Sequence, residues 1–359
     1  MSYPRLEIDC TKISHNAKTL NYQLALKGIS ITPVTKVCLG HPVIAKMLVS
    51  SGAEMLADSR VENIVNMKKA GINLPIMLIR SPMLSQVSDV VQYCDISLNT
   101  ELSVIQRLST VASELNITHG VIIMVELGDL REGVMPDDLM ALIENIVQLP
   151  NIALKGIGAN LACRYGISPD DNNMSKLSDL ADEIENKFDV HLEVISGGNS
   201  ASLNWALNNM SKTRVNNLRV GEAIFLGCDP LYQEPIKGLF CDAITLIAEV
   251  IESKVKPSIP WGERGVNAFG EKPVLIDKGD VSQAIIAIGR QDISITGIKP
   301  PSGIKVVAST SDHLIVETSG QRLSVGQKVK FSLDYGALLT AMSSPFIDKI
   351  FLESKTQYD

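Results

Sequence analysis

The sequence predicts an α/β fold in which a (β/α)8 TIM barrel is followed by an all-β domain. From about residue 30 to residue 227, short apolar segments of high β-propensity alternate with longer helical segments. Eight such strands occur, and each one except the last is followed by a helical segment. Units of this kind give parallel strands with right-handed crossovers, and eight of them close into a barrel. After Asp229 the pattern changes to strands separated by Gly, Pro and Ser turns, which is typical of an all-β domain.

Each predicted barrel strand is an apolar run that ends in a small or polar residue. The strands are residues 30–37, 53–58, 74–80, 95–98, 120–127, 153–160, 191–196 and 218–226. The intervening segments place apolar side chains at helical spacing, as in residues 42–51, where Gly52 follows as a terminating residue. A doubly wound open sheet is the alternative fold. It usually has fewer strands, and no Gly-x-Gly-x-x-Gly motif follows the first strand.

The carboxyl-terminal region contains further predicted strands and lacks a helical pattern of about 10 residues. The strands are residues 243–252, 272–276, 282–288, 304–307, 313–317 and 327–332. The sequence therefore predicts a second domain of roughly 120 residues that contains only β-structure.

Composition and charge exclude several classes of protein. The 359 residues are 45% hydrophobic and 20% charged, which is ordinary for a soluble globular protein and excludes a disordered chain. The 33 Lys and Arg against 40 Asp and Glu give a net charge of −7, which argues against binding to nucleic acid or to an anionic membrane. We expect a cytoplasmic protein, because no apolar run approaches the roughly 20 residues of a membrane helix and the amino terminus lacks an apolar signal core. The six cysteines form no Cys-x-x-Cys pair, so we predict neither a metal site nor a disulfide framework.

The end of the first strand provides a candidate nucleophile. In a barrel of this kind the active site lies at the carboxyl ends of the strands, so the polar residues that end the apolar runs are the candidates. Lys36 follows Val34-Thr35 at the end of the first strand. Apolar walls would lower its pKa and favour a neutral, nucleophilic amine. The alternative is a lysine whose side chain extends from the strand end into solvent.

Glycine-rich turns after the seventh and eighth strands predict a phosphate site. Residues 196–200, Ser-Gly-Gly-Asn-Ser, open a helix, and their backbone N–H groups suit a phosphate. Gly221 allows close backbone approach after the eighth strand, and barrels commonly bind phosphate at these two loops. Arg131, at the end of the fifth strand, either faces the same mouth or is an ordinary surface arginine. A lysine opposite a phosphate site suggests pyridoxal 5′-phosphate (PLP) held as a Schiff base.

Four motifs occur in the order found in the alanine-racemase-like (fold type III) enzymes that depend on PLP. They are Val34-Thr35-Lys36, Gly-x-x-Arg-x-Gly at residues 128–133, Asn199-Ser200 and Arg219-x-Gly221. The chain resembles most closely the alanine/ornithine racemase family, with further similar stretches at residues 3–9, 268–271, 288–292 and 334–338. The likeness spans nearly the whole chain. It implies a PLP-dependent racemase that interconverts L- and D-amino acids, with ornithine, lysine or alanine as candidate substrates.

The resemblance also implies a role for individual residues. Lys36 would form the Schiff base with the cofactor and then act as a base at Cα, leaving a Cα carbanion. Arg219 would hydrogen-bond the pyridine nitrogen without protonating it, because a guanidinium keeps its proton, and Arg131 would lie near the phenolic oxygen. The other cofactor-binding residues that the resemblance implies are Asn160, Ser200, Gly221, Glu222 and Tyr335.

The chain departs from the family at the position of the second catalytic base. Alanine racemases use a tyrosine of the partner subunit there, and the counterpart in this chain is Trp261, which cannot transfer protons. Met124 occupies the position of a modified lysine in some relatives. His313, with Asp312 as its orienting partner, is our candidate for the second base, because its unperturbed pKa suits proton exchange near neutrality. The alternative is a structural histidine near the start of a strand.

The resemblance implies the following organisation of domains and subunits. Residues 1–12 contribute a strand to the β domain, residues 13–235 form the PLP-binding barrel, and residues 236–359 form the β domain. Relatives are head-to-tail homodimers in which the β domain of one subunit caps the barrel of the other, and such closure would exclude water. The expected partner molecule is a small amino-acid substrate.

Three other activities fit the same residues. A decarboxylase of basic amino acids would break a different Cα bond, and a non-catalytic PLP carrier usually ends after the barrel. A cofactor-free Schiff-base aldolase would bind a substrate phosphate at the same glycine-rich turns. Asp129, Glu132 and Glu222 near the mouth suggest either attraction of a cationic substrate side chain or ion pairs with the cofactor-binding arginines.

Overall fold

The chain forms two compact units. The computed structural model describes residues 3–208, 213–272, 274–320 and 322–352. Within these residues, the barrel unit belongs to Lys12–Cys241, and the β unit combines parts of Met1–Thr11 and Asp242–Asp359.

Strands and helices are numbered in chain order. The strands are β1 (Arg5–Asp9), β2 (Ser30–Pro33), β3 (Leu56–Asp58), β4 (Ile76–Leu78), β5 (Ile96–Asn99), β6 (His119–Met124), β7 (Ile152–Gly158), β8 (Val194–Ser196), β9 (Asn217–Val220), β10 (Ile244–Pro257), β11 (Asp280–Ile286), β12 (Ile298–Lys299), β13 (Ile304–Ser309), β14 (Leu314–Thr318), β15 (Lys328–Leu333) and β16 (Asp348–Leu352). The α-helices are α1 (Cys10–Ala25), α2 (Pro42–Ser50), α3 (Val61–Lys69), α4 (Val87–Tyr93), α5 (Leu102–Glu114), α6 (Pro136–Ile146), α7 (Asp171–Phe188), α8 (Leu203–Asn208), α9 (Glu222–Leu226) and α10 (Tyr335–Ser343).

The barrel unit contains the predicted (β/α)8 barrel. Its parallel strands follow the order β2-β9-β8-β7-β6-β5-β4-β3. The two end strands meet where Val34 bridges to Ala57, and the N–H of Thr35 donates to the Ala57 carbonyl at 2.8 Å. Val34, Ala57 and Met124 belong to one buried apolar cluster with side chains of β4 and β5. The prediction of the fold class is confirmed.

The first and last barrel strands are shorter than predicted. The chain leaves β2 after Pro33 and turns into a 3-10 helix at Lys36–Cys38. Residues 222–226, predicted as strand, form α9 instead, and residues 223–226 are buried. A short apolar run that is buried on all sides has no periodicity to distinguish a helix from a strand, which explains the error.

The β unit is built around a largely antiparallel sheet. β1 pairs antiparallel with β10 and parallel with β16, and the main path of the sheet is β12-β15-β10-β11-β14-β13. Leu6 and Ile8 of β1 are fully buried, whereas Arg5, Glu7 and Asp9 are only partly buried, as expected where alternate side chains face opposite sides of a sheet.

Two local predictions in the second domain are wrong, one of a strand and one of the absence of a helix. Lys272 and the described residues 274–276 form no strand, and Val274 and Ile276 are 92% and 70% exposed. The helix α10, which the sequence prediction missed, begins beyond the last predicted strand. Asp334 caps α10 by accepting a hydrogen bond from the N–H of Ala337 at 2.8 Å.

The barrel unit continues past the predicted domain boundary at residue 235. The N–H of Ile236 donates to the Gly227 carbonyl at 2.8 Å, and the N–H of Phe240 donates to Asn16 Oδ1 at 2.8 Å. These bonds tie residues 236–241 to the barrel, so the unit ends at Cys241. Among the helices of the described residues, none is long and apolar enough to cross a membrane.

Candidate active site

Lys36 lies in the tight turn that follows β2. The 3-10 helix Lys36–Cys38 is capped by Leu39, whose N–H donates to the Lys36 carbonyl at 3.2 Å. Gly40 follows with φ +60°, and a Cβ at this residue would lie 2.9 Å from Asn63 Cβ, so only glycine fits. The side chain of Lys36 is half-buried, and burial lowers its pKa below the ordinary lysine value. This shift favours the neutral, nucleophilic amine.

The loops after β8 and β9 are joined through Ser200. The buried hydroxyl of Ser200 accepts hydrogen bonds from the N–H groups of Gly221 at 3.3 Å and Ala223 at 3.2 Å. Asn199 caps the 3-10 helix that Ser200 begins, because its Oδ1 accepts from the N–H of Ala201 at 2.8 Å. A Cβ on Gly221 would lie 3.2 Å from Val34, so a larger residue would crowd the rim next to the Lys36 turn.

Arg219 is a buried cation at the carboxyl end of the barrel. It is only 4% exposed, and its guanidinium donates to Ser196 Oγ and, at 2.8 Å, to the Ala159 carbonyl. Ser196 Oγ donates in turn to Asn217 Oδ1 at 2.9 Å, so the arginine is held by β8, β9 and the end of β7. Burial lowers the pKa of Arg219 to about 10, which still leaves it charged at neutral pH.

Arg131 is carried by a loop that forms around a buried carboxylate. Glu126 Oε1 accepts from the N–H groups of Gly128 at 2.6 Å and Leu130 at 2.9 Å, and Oε2 accepts from the N–H of Arg131 at 3.2 Å. The Arg131 guanidinium forms an ion pair with Glu132. Of the two roles considered for Glu132, attraction of a cationic substrate or an ion pair with a cofactor-binding arginine, the structure shows the ion pair.

Asp129 holds a second loop at the mouth and is not available to a substrate. It is fully buried, and its Oδ2 accepts from the N–H groups of Cys163 at 3.1 Å and Arg164 at 3.0 Å. Its Oδ1 accepts from the N–H of Tyr165 at 3.0 Å. The hypothesis that Asp129 attracts a cationic substrate is therefore wrong, because its carboxylate is sequestered from solvent.

Asn160 and Cys163 lie on the loop that Asp129 holds. Asn160 Nδ2 donates to Cys163 Sγ at 3.1 Å, and Asn160 Oδ1 accepts from Asn199 Nδ2 at 3.1 Å. Cys163 is exposed, and an electrostatic interaction with it raises the pKa of both Lys36 and Arg219. Sequence reasoning missed Cys163; the available signal was its position just beyond the end of a barrel strand.

The barrel brings together most of the predicted site residues. Lys36, Arg131, Asn160, Ser200, Arg219, Gly221 and Glu222 follow or end five of its parallel strands on the carboxyl side. The charges of Arg131 and Glu222 both affect the pKa of Lys36. Among the described residues, no group of three His, Cys, Asp or Glu side chains is arranged to bind a metal.

The other predicted site residues belong to the β unit. Tyr335 is the first residue of α10. His313 precedes β14, its ring Nδ1 lies 2.8 Å from Asp312 Oδ1, and its backbone N–H donates to Thr310 Oγ1 at 3.0 Å. Trp261 is 86% exposed. The roles assigned to Tyr335 and His313 stay predictions.

Comparison with known proteins identifies relatives along nearly the whole chain. The model of the alanine racemase N-terminal domain matches residues 8–229. The chain is 41% identical over 355 residues to an ornithine racemase of Acetoanaerobium sticklandii, which covers 98% of this chain and 100% of that protein. It is 37% identical over 353 residues to a lysine racemase of Thermotoga maritima, which covers 98% of this chain and 99% of that protein.

Solved structures share the fold of this chain. An alanine racemase from Bartonella henselae with covalently bound pyridoxal phosphate aligns with a TM-score of 0.74 at 20% identity, covering 98% of this chain and 100% of that chain. The full-length relatives are racemases, so neither a decarboxylase nor a non-catalytic carrier is favoured. The chain belongs to the alanine racemase family and is an amino-acid racemase.

Proposed function

We propose that this racemase acts on the basic amino acids ornithine and lysine and that it uses PLP bonded to Lys36 as a Schiff base. The names of the two full-length relatives support the choice of substrate. The observation that carries the proposal is a half-buried lysine of lowered pKa in the turn after β2, with the loops of Arg131 and Ser200 at the same end of the barrel. A neutral amine is the form that reacts with an aldehyde.

The residues at this end of the barrel fit PLP. Lys36 Nζ would bond to its aldehyde carbon, and the buried cation Arg219 would hold the pyridine nitrogen. Ser200 and the backbone N–H groups of Gly221 and Glu222 would hold the phosphate. Arg131 would lie near the phenolic oxygen, and the loop amide Asn160 and Tyr335 of the β unit would complete the set. The barrel residues of this set support PLP because they place one amine, two cations and several polar donors at the carboxyl end of one barrel.

The residues of the chain would then serve racemisation as follows. When bound, PLP withdraws electrons from the substrate Cα and so makes its proton removable. Lys36 Nζ, once the substrate amine had replaced it, would take the proton on its side of the substrate. Arg219 stays charged near neutrality, so it would donate a hydrogen bond to the pyridine nitrogen and no proton, which would limit electron withdrawal and favour rapid return of a proton to Cα.

A panel of L-amino acids in deuterated water tests the proposed reaction and substrate. We expect deuterium at Cα and formation of the D-isomer for ornithine and lysine, with kcat/KM at least roughly tenfold above that of norleucine. Norleucine is the matched control because it has the size of ornithine without the side-chain ammonium. Equal rates for ornithine, norleucine and alanine would contradict the substrate assignment. Release of carbon dioxide would identify the reaction as decarboxylation instead of racemisation.

His313→Asn tests the predicted second base. The equilibrium constant of racemisation is unity, so kcat/KM in the two directions must fall by the same factor, and the informative measurement is Cα exchange with solvent for each enantiomer. We expect racemisation to fall by about a hundredfold while one enantiomer still exchanges its proton through Lys36. His191→Asn, an exposed histidine of the barrel unit, is the control. Unchanged racemisation in His313→Asn would remove His313 from the mechanism.

The predicted head-to-tail homodimer is also part of this proposal. Family resemblance supports it, although the chain departs from the family at Trp261, the position where alanine racemases receive a tyrosine of the partner subunit.

A further inference from the structure

We propose that Asp58 is a positioning residue for Lys36: its buried carboxylate fixes the turn that carries the lysine, and its charge acts on the amine. The inference rests on the proposed function in one respect, which is that Lys36 is the residue that bonds to the cofactor.

Asp58 binds the residue that directly precedes the lysine. It is the last residue of β3 and is fully buried. Its Oδ2 accepts a hydrogen bond from Thr35 Oγ1 at 2.7 Å. The N–H of Thr35 donates to the Ala57 carbonyl at 2.8 Å, so Thr35 is attached to the end of β3 by its backbone and its side chain. The conformation of the Lys36 turn therefore depends on the end of β3.

The other oxygen of Asp58 ties the same turn to α3. Oδ1 accepts from the N–H of Arg60 at 2.9 Å and from Asn63 Nδ2 at 3.0 Å. Asn63 also packs against Gly40, the residue at which the Lys36 turn reverses direction. One carboxylate thus connects β3, the start of α3 and the turn after β2, and a carboxylate can accept all three hydrogen bonds at once.

The charge of Asp58 acts on the amine. Burial lowers the pKa of Lys36, the charges of Cys163, Asp58 and Glu222 raise it, and that of Arg131 lowers it further. Among the three acidic groups, Asp58 alone is fully buried, where solvent screens a charge least. Burial raises the pKa of Asp58 itself, and the hydrogen bonds that it accepts from Thr35, Arg60 and Asn63 offset only part of this upward shift.

Asp58→Asn removes the charge without breaking a hydrogen bond. The amide oxygen would accept from the Arg60 N–H and Asn63 Nδ2, as the carboxylate oxygen does now. The amide nitrogen would donate to Thr35 Oγ1, whose own proton would turn to the Ala57 carbonyl, which already lies 3.2 Å from that hydroxyl. This variant therefore separates the effect of charge from the effect of position.

The test follows the attachment of PLP to the full-length chain after removal of its cofactor. The neutral amine of Lys36 attacks the aldehyde carbon, a C=N bond forms and water leaves, so the attachment rate rises with pH through the pKa of the amine. We expect the midpoint of this rate profile in Asp58→Asn to lie roughly one pH unit below that of the wild type, read from absorbance. Glu54→Gln, which removes an exposed charge just before β3, should leave the midpoint unchanged.

A second pair of variants tests the positioning role without relying on Asp58→Asn. Thr35→Val removes the hydroxyl and leaves the carboxylate, and we expect slower attachment of PLP at every pH. Thr35→Ser keeps the hydroxyl and should restore the rate. Coincident midpoints for Asp58→Asn and the wild type, or normal attachment in Thr35→Val, would overturn the inference. Failure of wild-type Lys36 to bond to PLP would instead overturn the proposed function, so the two failures are distinguishable.

Discussion

Lys36→Ala is expected to abolish both the covalent attachment of PLP and all racemisation. Alanine has no amine to bond to the aldehyde and no group to take the Cα proton, and general acid–base catalysis alone contributes roughly 10²–10⁴-fold to the rate. The measurement is borohydride reduction of the cofactor-loaded protein, followed by mass spectrometry of its peptides. We expect the reduced label on Lys36 in the wild type and on no residue in the variant.

Lys69→Ala is the matched control for this experiment. Lys69 is exposed on α3 of the same barrel unit, so its removal should change neither the labelling nor the rate. Thermal unfolding of the Lys36→Ala variant, compared with the wild type, tests whether its barrel still folds. A label that persists on another lysine, or racemisation that survives in Lys36→Ala, would contradict the assignment of Lys36.

The barrel could be predicted from the sequence because its local and overall patterns agree. Eight apolar runs alternate with amphipathic segments, and a parallel barrel is the arrangement that buries all of them. The longest errors in the barrel concern residues 34–37 and 222–226, where the chain leaves the sheet earlier than predicted. The residue at which a strand ends depends on the strands with which it pairs. The local spacing of apolar residues does not identify those partner strands.

The β unit was harder to predict because the burial of its apolar residues follows from tertiary contacts. Val274 and Ile276 are β-branched, yet both are exposed and lie outside the sheet. In α10, the buried residues Ala337, Leu338, Ala341 and Met342 lie at helical spacing after the Asp334 cap, which is a signal that the sequence carried. That helix is nine residues long, just below the length of the pattern sought.

The candidate site could be predicted in part for a topological reason. A parallel barrel brings the carboxyl ends of all its strands to one rim, so Lys36, Arg131 and Arg219 were found by asking which polar residues end the apolar runs. The roles of Asp58 and Asp129 could not be found in this way. Each carboxylate accepts a hydrogen bond from a residue that is distant in the sequence, Thr35 in the case of Asp58 and Cys163 in the case of Asp129. The sequence alone does not show that these residues meet in the fold.

Asp129→Asn is expected to loosen the loop of residues 163–165 and to weaken the binding of PLP. The carboxylate now accepts three backbone N–H groups with its two oxygens. An asparagine side chain has one oxygen. The amide nitrogen in place of the second oxygen is itself a donor, so it cannot accept a hydrogen bond from a backbone N–H. At least one of these partly buried N–H groups would lose its acceptor, so we expect the free energy of unfolding to fall by about 1 kcal/mol.

Chemical denaturation and a titration with PLP measure these two effects. Asp179→Asn, an exposed residue of α7, is the control and should change the free energy of unfolding by less than about 0.5 kcal/mol. The backbone of Cys163 is held by Asp129, and an electrostatic interaction with Cys163 raises the pKa of Lys36, so movement of the loop should also alter the pKa of this amine. If Asp129→Asn bound PLP as tightly as the wild type and were equally stable, the carboxylate would not be what holds the loop at the mouth.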